Sequence, residues 1–339
     1  MHSRRGTGYP RRGSSSTAGP VARLGSGKNR HCRHMGVPDV ITVRDALAAG
    51  ATRDMLRGRR WRAPFRGVRA SAALEESFAN RCRALRAVLP PGSVFSGITA
   101  ALIYGWWLPA CALSGPLEVT VPAKSQVRRP GVRCRRSTLG RADVCERFGL
   151  PLTSPVRTIL DLAAVLPLID LVVIMDAALQ MRACSLDELA VQAEGAGVRG
   201  IKNYRRALAL CDGRSESPME TLERLLIVLS GLPAPIPQVK IYDADGVFIA
   251  RVDLKAPGVP AVFEYDGADH NTPVNHARDV RRWRALRSAG IEVYPYTARD
   301  LFGTPHQLVV DYQRALGLPI DASVTEGWLR EWKHSGFNR

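Results

Sequence analysis

Apolar residues recur at helix and strand spacings along most of the chain, but not in its first 36 residues. Residues 1–36 combine serine, glycine and proline with eight basic residues and no acidic one, a composition that cannot form a packed core. We predict a disordered arm there, either a tether for the DNA backbone or a stretch upstream of a translation start at Met35. The rest divides into two helices with a hairpin, a mixed α/β segment and a C-terminal α/β unit.

Residues 37–72 predict two short helices followed by a β-hairpin. Thr42 and Thr52 precede the helices as N-caps, and Gly50 and Gly58 close them. This is the outline of a winged helix-turn-helix, which places its second helix in the major groove of DNA. The arginines expected at the duplex, on the second helix and the wing, are Arg53, Arg57, Arg59, Arg60, Arg62 and Arg66.

Residues 80–206 predict an α/β segment without a catalytic constellation. "PLEVTVP" and "GVRCRRSTL" are typical of strands, and "GITAALIYG" predicts a buried helix. The most apolar stretch, residues 159–181, contains three aspartates, so we predict buried helices there and no membrane span. Arg157 and Asp161 lie four residues apart and predict an ordinary ion pair. We interpret this segment as a scaffold that links DNA binding to the C-terminal unit.

Two stretches carry a family resemblance. "ITVRDALAAGATRDMLRGRRWRAPFRGVRA" resembles the N-terminal domain of AbiEi-type antitoxins of type IV toxin–antitoxin systems, and the segment containing "TSPVRTILDLA" resembles the remainder of such proteins. The resemblance implies a winged helix that binds operator DNA, a linker domain over residues 80–206, and a cognate toxin as partner.

Residues 215–318 predict an αβββαβ unit. "SPMETLERLLIVLSGL" is a helix with Ser217 as its cap, Pro218 at the first position and Glu220 at the third, the arrangement of a capping box. Three strands follow, "PQVKIYD", "VFIARVDL" and "AVFEYDG", with an Asp-Gly turn between the first two. A basic helix then leads to a fourth strand, "IEVYPYT". Residues 319–339 form a tail with an amphipathic segment, "EGWLREWKH", that packs back on the unit.

The strands of this unit place acidic residues beside apolar ones. Side chains alternate along a strand, so Glu264 and Asp266 share a face, and Asp253 lies near Glu264 if the two strands pair through "KAPGVP". Buried carboxylates need a compensating cation. Mg²⁺ or Mn²⁺ bound by Asp253, Glu264 and Asp266 would offset their repulsion and activate a water for phosphodiester hydrolysis. Solvated acids on a surface hairpin are the alternative.

These motifs resemble PD-(D/E)XK nucleases, which have a restriction-endonuclease-like core, and more closely the very-short-patch-repair-like endonucleases (domain of unknown function 559). The resemblance rests on "SPMETLERLL", "RVDL", "VFEYDGADH" and "RDVRRWRALRSAGIEV". The catalytic residues that it implies are Asp253, Glu264, Asp266, His270 and Glu220, of which Asp253, Glu264 and Asp266 bind the metal.

The general nuclease pattern has a lysine where this chain has Asp266. The general base is therefore left open between His270, Lys255 and a metal-bound hydroxide. Asp279 and Arg282 match the D-x-x-R pair of the very-short-patch-like branch.

The basic helix of the C-terminal unit is expected to pack on the sheet through Val280, Trp283 and Leu286. Its arginines then suit contacts to phosphates, although a solvated basic face is the alternative. The arginines on this helix that we assign to DNA are Arg278, Arg281, Arg282, Arg284 and Arg287.

Composition agrees with a nucleic-acid partner. A net charge of +17 in 339 residues favours a polyanion, nucleic acid before membrane, over a merely arginine-rich solvated surface. The seven cysteines are scattered without a C-x-x-C pair, which predicts neither disulfides nor a zinc site and favours a reducing cytoplasm. The N-terminus has no apolar core segment of a secretory signal.

The leading hypothesis is a divalent-metal-dependent DNA endonuclease with an attached winged-helix module, acting on double-stranded DNA. The alternative is an AbiEi-like DNA-binding antitoxin or transcriptional regulator with a non-catalytic nuclease-like domain. An RNA-acting enzyme is a third hypothesis. The intact acids favour the first, because a relic would lose carboxylates that only a metal makes tolerable.

Overall fold

A computed structural model describes residues 38–195, 197–267 and 273–338. The predicted arm and His270 lie outside the described residues. The architecture is mixed α/β, as predicted, with sheets of three, five and four strands. No described helix is long and apolar enough to cross a membrane.

The N-terminal elements surround a small antiparallel sheet with strand order β1-β3-β2. The predicted caps are confirmed, since Thr42 Oγ1 accepts from Asp45 N at 3.0 Å and Thr52 Oγ1 accepts from Met55 N at 3.2 Å. The first helix ends at Ala48, and one residue, Ala49, separates it from Gly50, which was predicted to close the helix. The elements are β1 (Val40–Thr42), α1 (Val43–Ala48), α2 (Arg53–Arg57), β2 (Trp61–Arg62) and β3 (Val68–Ser71).

The middle segment is built on a five-stranded mixed sheet, which explains its alternation of apolar and polar residues. The strands of this sheet and the helices that precede or connect them are α3 (Phe78–Arg86), β4 (Val94–Phe95), α4 (Gly97–Tyr104), α5 (Ala110–Leu113), β5 (Leu117–Val121), β6 (Val132–Arg136), β7 (Val144–Arg147) and β8 (Leu150–Thr153). The strand order is β6-β5-β4-β8-β7.

Four helices of the described chain follow, and the first two are largely buried, as the apolar pattern predicts. They are α6 (Pro155–Ala163), α7 (Leu168–Gln180), α8 (Leu186–Glu194) and α9 (Ile201–Leu208). The predicted ion pair on α6 is confirmed, with Arg157 Nε 3.1 Å from Asp161 Oδ1. Asp170 and Asp176 of α7 are buried and bonded to polar groups, so the helix retains its aspartates inside the core.

The C-terminal elements follow the predicted order of one helix, three strands, a helix and a strand. They are α10 (Pro218–Leu229), β9 (Ile236–Tyr242), β10 (Phe248–Lys255), β11 (Ala261–Tyr265), α11 (Pro273–Ser288) and β12 (Glu292–Tyr296). The sheet order is β12-β11-β10-β9, antiparallel except for β11 and β12, which run parallel and are connected by α11. Three helices end the chain: α12 (Ala298–Gly303), α13 (Pro305–Ala315) and α14 (Glu326–Trp332).

One cluster of buried apolar side chains extends from Phe65 to Trp332 and includes residues of all these segments. The tail packs into it, because Trp328 and Trp332 of α14 are buried and stacked with ring centroids 5.0 Å apart. Beyond α14, Gly336 N donates to the buried carboxylate of Asp170 at 2.9 Å. The tail therefore joins the C-terminal unit to α7 of the middle segment.

Candidate functional site

Helix α10 brings two glutamates to the face of the C-terminal sheet. Ser217 Oγ accepts from Glu220 N at 3.2 Å, so Ser217 caps the helix as predicted. In a capping box the Glu220 carboxylate would accept the backbone N–H of Ser217. Here Glu220 Oε2 accepts from Glu216 N at 2.8 Å, so the predicted capping box is not formed. Gln238 Nε2 on β9 donates to the same oxygen at 2.7 Å. Glu220 is thereby fixed between its helix and the sheet, one turn before Glu223.

Strands β10 and β11 bring the other two acids together. Leu254 pairs with Phe263 in the antiparallel register, and the same register sets Asp253 opposite Glu264. Tyr265 N also donates to Asp253 Oδ2 at 3.0 Å. The predicted approach of Asp253 to Glu264 through the connecting loop is therefore confirmed.

These four side chains, Glu220, Glu223, Asp253 and Glu264, form a carboxylate cluster. Burial raises the pKa of Glu264 to about 8 and that of Glu220 to about 7, and repulsion from Asp253 adds to both shifts. Burial also raises the pKa of Glu223 well above its usual value, with further contributions from Asp253, Glu220 and Glu264. Each of the three glutamates thus has its pKa raised further by repulsion from Asp253.

Arg282 of α11 pairs with a carboxylate of this cluster. Its Nη2 lies 2.6 Å from Glu264 Oε2 and 3.5 Å from Asp279 Oδ1. The guanidinium opposes the upward shift in the pKa of Glu264. Arg282 therefore faces the carboxylates, whereas Arg281 is exposed on the same helix. Arg284 and Arg287 are exposed as well, and the side chain of Arg278 lies outside the described residues.

Glu223 is the member of the cluster that the sequence motifs did not identify. Its side chain is 1% exposed, and within the described part of the chain neither of its carboxylate oxygens has a hydrogen-bond partner. Oε1 of Glu264, a residue that is 2% exposed, is also unpartnered there. The signal in the sequence was the helical spacing of Glu220 and Glu223, which puts both on one face of the helix.

The donor chemistry of the cluster fits a hard divalent cation. Mg²⁺ and Mn²⁺ prefer carboxylate oxygens, and three oxygens of buried carboxylates here lack partners. Within residues 38–195, 197–267 and 273–338, no group of three or more His, Cys, Asp or Glu side chains is placed so that it could hold a metal ion. No three of the described carboxylates are therefore placed as ligands of one ion.

The remaining predicted site residues lie at the margin of this cluster. Asp266 follows the end of β11 and is half-buried, and its N–H donates to Tyr296 O at 2.7 Å. Lys255 Nζ donates to Val259 O at 3.0 Å and to Ala256 O at 3.3 Å, so the ammonium group is held at the loop between the strands. Its role as a base stays a prediction, as do the roles of Asp266 and His270.

Five of the six predicted N-terminal arginines, Arg53, Arg57, Arg59, Arg60 and Arg66, are exposed, and of these Arg57 lies 3.4 Å from Asp54 Oδ1. Arg62 differs. Its guanidinium pairs with Glu76 and donates to Leu74 O, and the side chain is 30% exposed. This geometry favours a role for Arg62 in holding the segment after β3.

The raised pKa values predict a pH dependence of stability. Below the ordinary glutamate pKa the acids are protonated in both the folded and the unfolded chain, so their burial carries no penalty from charge. As pH rises towards about 8, the unfolded chain has lost protons that folded Glu220 and Glu264 retain, so the free energy of unfolding falls. We expect urea denaturation to show this decline between about pH 5 and pH 8.5.

The matched test is Glu264→Gln, which should show a shallower decline than the wild type. The exposed Glu194 provides the control, and Glu194→Gln should keep the wild-type slope. A stability that rises over the same interval would contradict the pKa shifts.

Comparison with known proteins adds a family relationship. The sequence model of the AbiEi antitoxin C-terminal domain matches residues 40–210. Two proteins of Mycobacterium tuberculosis, the uncharacterized proteins MT2308 and Rv2248, are each 32% identical to this chain over 255 residues. These matches cover 72% of this chain and 89% of each relative. No solved structure matches the chain.

Proposed function

The chain belongs to the AbiEi antitoxin C-terminal domain family, and we propose that it is a DNA-binding regulator of the antitoxin type. The observation that carries this proposal is the family match over residues 40–210. It supports the regulator hypothesis better than the nuclease hypothesis that the sequence motifs ranked first. A cognate toxin is the protein partner that this proposal implies.

The N-terminal elements supply the proposed DNA-binding surface. The order β1-α1-α2-β2-β3 and the antiparallel pairing of β2 with β3 support a winged helix-turn-helix. Its second helix would carry the exposed Arg53 and Arg57 to the duplex, and the start of the wing would carry Arg59 and Arg60. Arginines of this kind mainly contact phosphates, and they set affinity and position.

Replacing Arg53, Arg57 and Arg59 together by alanine is expected to weaken duplex binding. Each phosphate contact that is lost should flatten the slope of log K against log salt by roughly one unit. The melting temperature should stay unchanged, because all three side chains are exposed. Fluorescence anisotropy with labelled duplex at several salt concentrations measures both quantities.

The control for this variant is a triple alanine replacement of Arg182, Arg299 and Arg330, which are exposed outside the N-terminal segment. It removes the same net charge and should keep the wild-type slope. Equal losses in the two triple variants would mean that DNA responds only to total charge, and the proposed N-terminal surface would be wrong.

A second candidate function is favoured by the carboxylate cluster. Three buried glutamates and the half-buried Asp253 on an α-β-β-β-α-β unit support a divalent-metal-dependent endonuclease of the PD-(D/E)XK type. A bound Mg²⁺ or Mn²⁺ would supply Lewis-acid activation of a phosphodiester. Asp253 and Glu264 would hold the cation, Glu220 would support them from α10, and the exposed arginines of α11 would bind phosphates.

One assay separates the two candidates. Plasmid DNA, single-stranded DNA and RNA are incubated with the full chain and Mg²⁺, Mn²⁺ or EDTA. Binding of duplex without cleavage under any of these conditions supports the regulator, and cation-dependent cleavage of DNA supports the nuclease. Cleavage confined to RNA would overturn the assignment of DNA as the substrate.

A further inference from the structure

One side chain of the middle segment reaches the backbone of the N-terminal elements. Arg129, in the loop between β5 and β6, donates from Nη1 to Arg66 O at 2.6 Å, and its Nη2 lies 3.5 Å from Val88 O. Arg66 belongs to residues 63–67 between β2 and β3, which we call the wing loop. A hydrogen bond from a charged donor is stronger than one between neutral groups. Arg129 thus ties the wing loop to the five-stranded sheet.

The strands that carry the wing loop are short. β2 has two residues, and its pairing with β3 spans two residue pairs, a ladder that is marginal by itself. The base of the loop is held by Gly67 O, which accepts from Val43 N at 2.8 Å. Its middle is held by Phe65, which is buried in the large apolar cluster, and by the bond from Arg129 to Arg66 O. The orientation of the loop therefore depends on these few anchors.

A groove separates the wing loop from the middle segment beside the bond from Arg129. Its volume is about 670 Å³, and its lining includes Pro64 and Arg66 of the wing loop, Val127 and Arg128 of the β5–β6 loop, and Arg129 itself. Apolar packing between the two loops is incomplete, because the groove has room for several water molecules. Arg129 spans this space, so the loss of its guanidinium would leave the wing loop room to move.

The wing loop and α2 are joined through β3. Arg69 of β3 donates from Nε to Leu56 O of α2 at 2.7 Å, and β3 begins directly after the wing loop. Arg53 and Arg57 extend from α2 and are exposed. Because β3 is connected to both the helix and the loop, the tie through Arg129 orients both of them on the middle segment.

We propose that Arg129 is a positioning residue for DNA binding, which holds the wing loop and α2 in the orientation that meets the duplex. This inference rests on the proposed regulator and extends it, because it gives the middle segment a part in presenting the N-terminal surface. Arg129 acts through the carbonyl of Arg66 and needs no contact with DNA. When the orientation competent for binding is only partly populated, the apparent affinity falls by that fraction.

The test compares duplex binding in the full-length wild type, Arg129→Ala, Arg129→Lys and the control Arg330→Ala, which replaces an exposed arginine of α14. Fluorescence anisotropy with a labelled duplex of mixed sequence is measured at several salt concentrations, below the melting temperature of every variant. Arg129→Ala should bind about tenfold more weakly, the effect of losing one strong hydrogen bond. Its slope of log K against log salt should match the wild type, whereas a lost phosphate contact would flatten the slope by roughly one unit. Arg129→Lys keeps the charge but not the planar fork, so it should lose affinity too.

Amide hydrogen exchange over residues 63–67 reports on the wing loop directly. It should be faster in both Arg129 variants than in the wild type and the control, because the loop has lost an anchor. Wild-type affinity or wild-type exchange in Arg129→Ala would overturn the inference and leave the regulator proposal standing. A flattened slope in Arg129→Ala together with wild-type affinity in Arg129→Lys would make Arg129 a phosphate contact and overturn the inference as well. A wild type that binds no duplex would overturn the regulator proposal itself, and the inference with it.

Discussion

Asp253→Asn and Glu264→Gln are each expected to abolish Mg²⁺-dependent cleavage of DNA under the nuclease candidate. Each change removes the charge of a proposed cation ligand with little change in shape, and the loss should be roughly 10²-fold or more, given the cost of disturbing even the outer shell of a metal site. Binding of DNA should persist or tighten, because a negative charge near the phosphates is removed.

The structure explains why these variants should still fold. Asp253 accepts the N–H of Tyr265 at 3.0 Å, and an asparagine oxygen can accept the same bond. Glu264 accepts from Arg282, and a glutamine oxygen can do so too. In Asp253→Asn, removal of the charge also relieves the repulsion that helps to raise the pKa of Glu220 and Glu264.

Single-turnover cleavage of plasmid DNA, followed in parallel with a binding assay, checks this prediction. Asp187→Asn is the matched control, because Asp187 is an exposed aspartate on α8, away from the cluster. It should cleave at the wild-type rate. Cleavage that persists at the wild-type rate in Asp253→Asn would rule out the carboxylate cluster as the site of cleavage.

Local patterns predicted the parts of this molecule that depend on neighbours in sequence. The threonine caps of α1 and α2 follow from one residue and its next turn. Alternation along β10 and β11, together with the short loop between them, was enough to place Asp253 beside Glu264. Each of these features is determined by backbone geometry over a few residues.

These local patterns did not predict contacts between residues that are far apart in the sequence. Arg282 was assigned to phosphates from its basic neighbours, but it lies against Glu264 because α11 crosses back over the sheet. Glu223 follows the same face of α10 as Glu220, but only the packing of that helix on the sheet shows which groups it meets. A helical pattern identifies the buried face and does not specify its partner.

The strongest of these distant contacts joins the family-matched segment to the C-terminal unit. Asp176 of α7 is fully buried, and its Oδ2 accepts from Arg224 Nη2 at 2.8 Å and from Thr221 Oγ1 at 3.0 Å. Its Oδ1 accepts from the backbone N–H groups of Asp212 at 2.8 Å and Gly213 at 3.2 Å. Helix α10 thus carries Glu220 and Glu223 of the cluster. The residue after each of them, Thr221 and Arg224, bonds the helix to Asp176 of α7.

Asp176→Ala is therefore expected to destabilise the whole fold by about 3–5 kcal/mol, the cost typical of breaking a buried ion pair from one side. The buried guanidinium of Arg224 would lose its counter-charge, and two backbone N–H groups would lose their acceptor. Asp176→Asn keeps the shape and part of the hydrogen bonding, so its loss should be smaller. Urea denaturation followed by tryptophan fluorescence measures the change, since Trp328 and Trp332 lie in the same core.

The control is Asp187→Ala, which replaces an exposed aspartate and should change stability by less than about 1 kcal/mol. Because α7 and α10 share one apolar cluster, the wild type should unfold in a single transition, and Asp176→Ala should shift that transition to lower urea. An Asp176→Ala protein as stable as the control would mean that Arg224 finds another partner. The bond between α7 and α10 would then contribute little to holding the cluster glutamates in place.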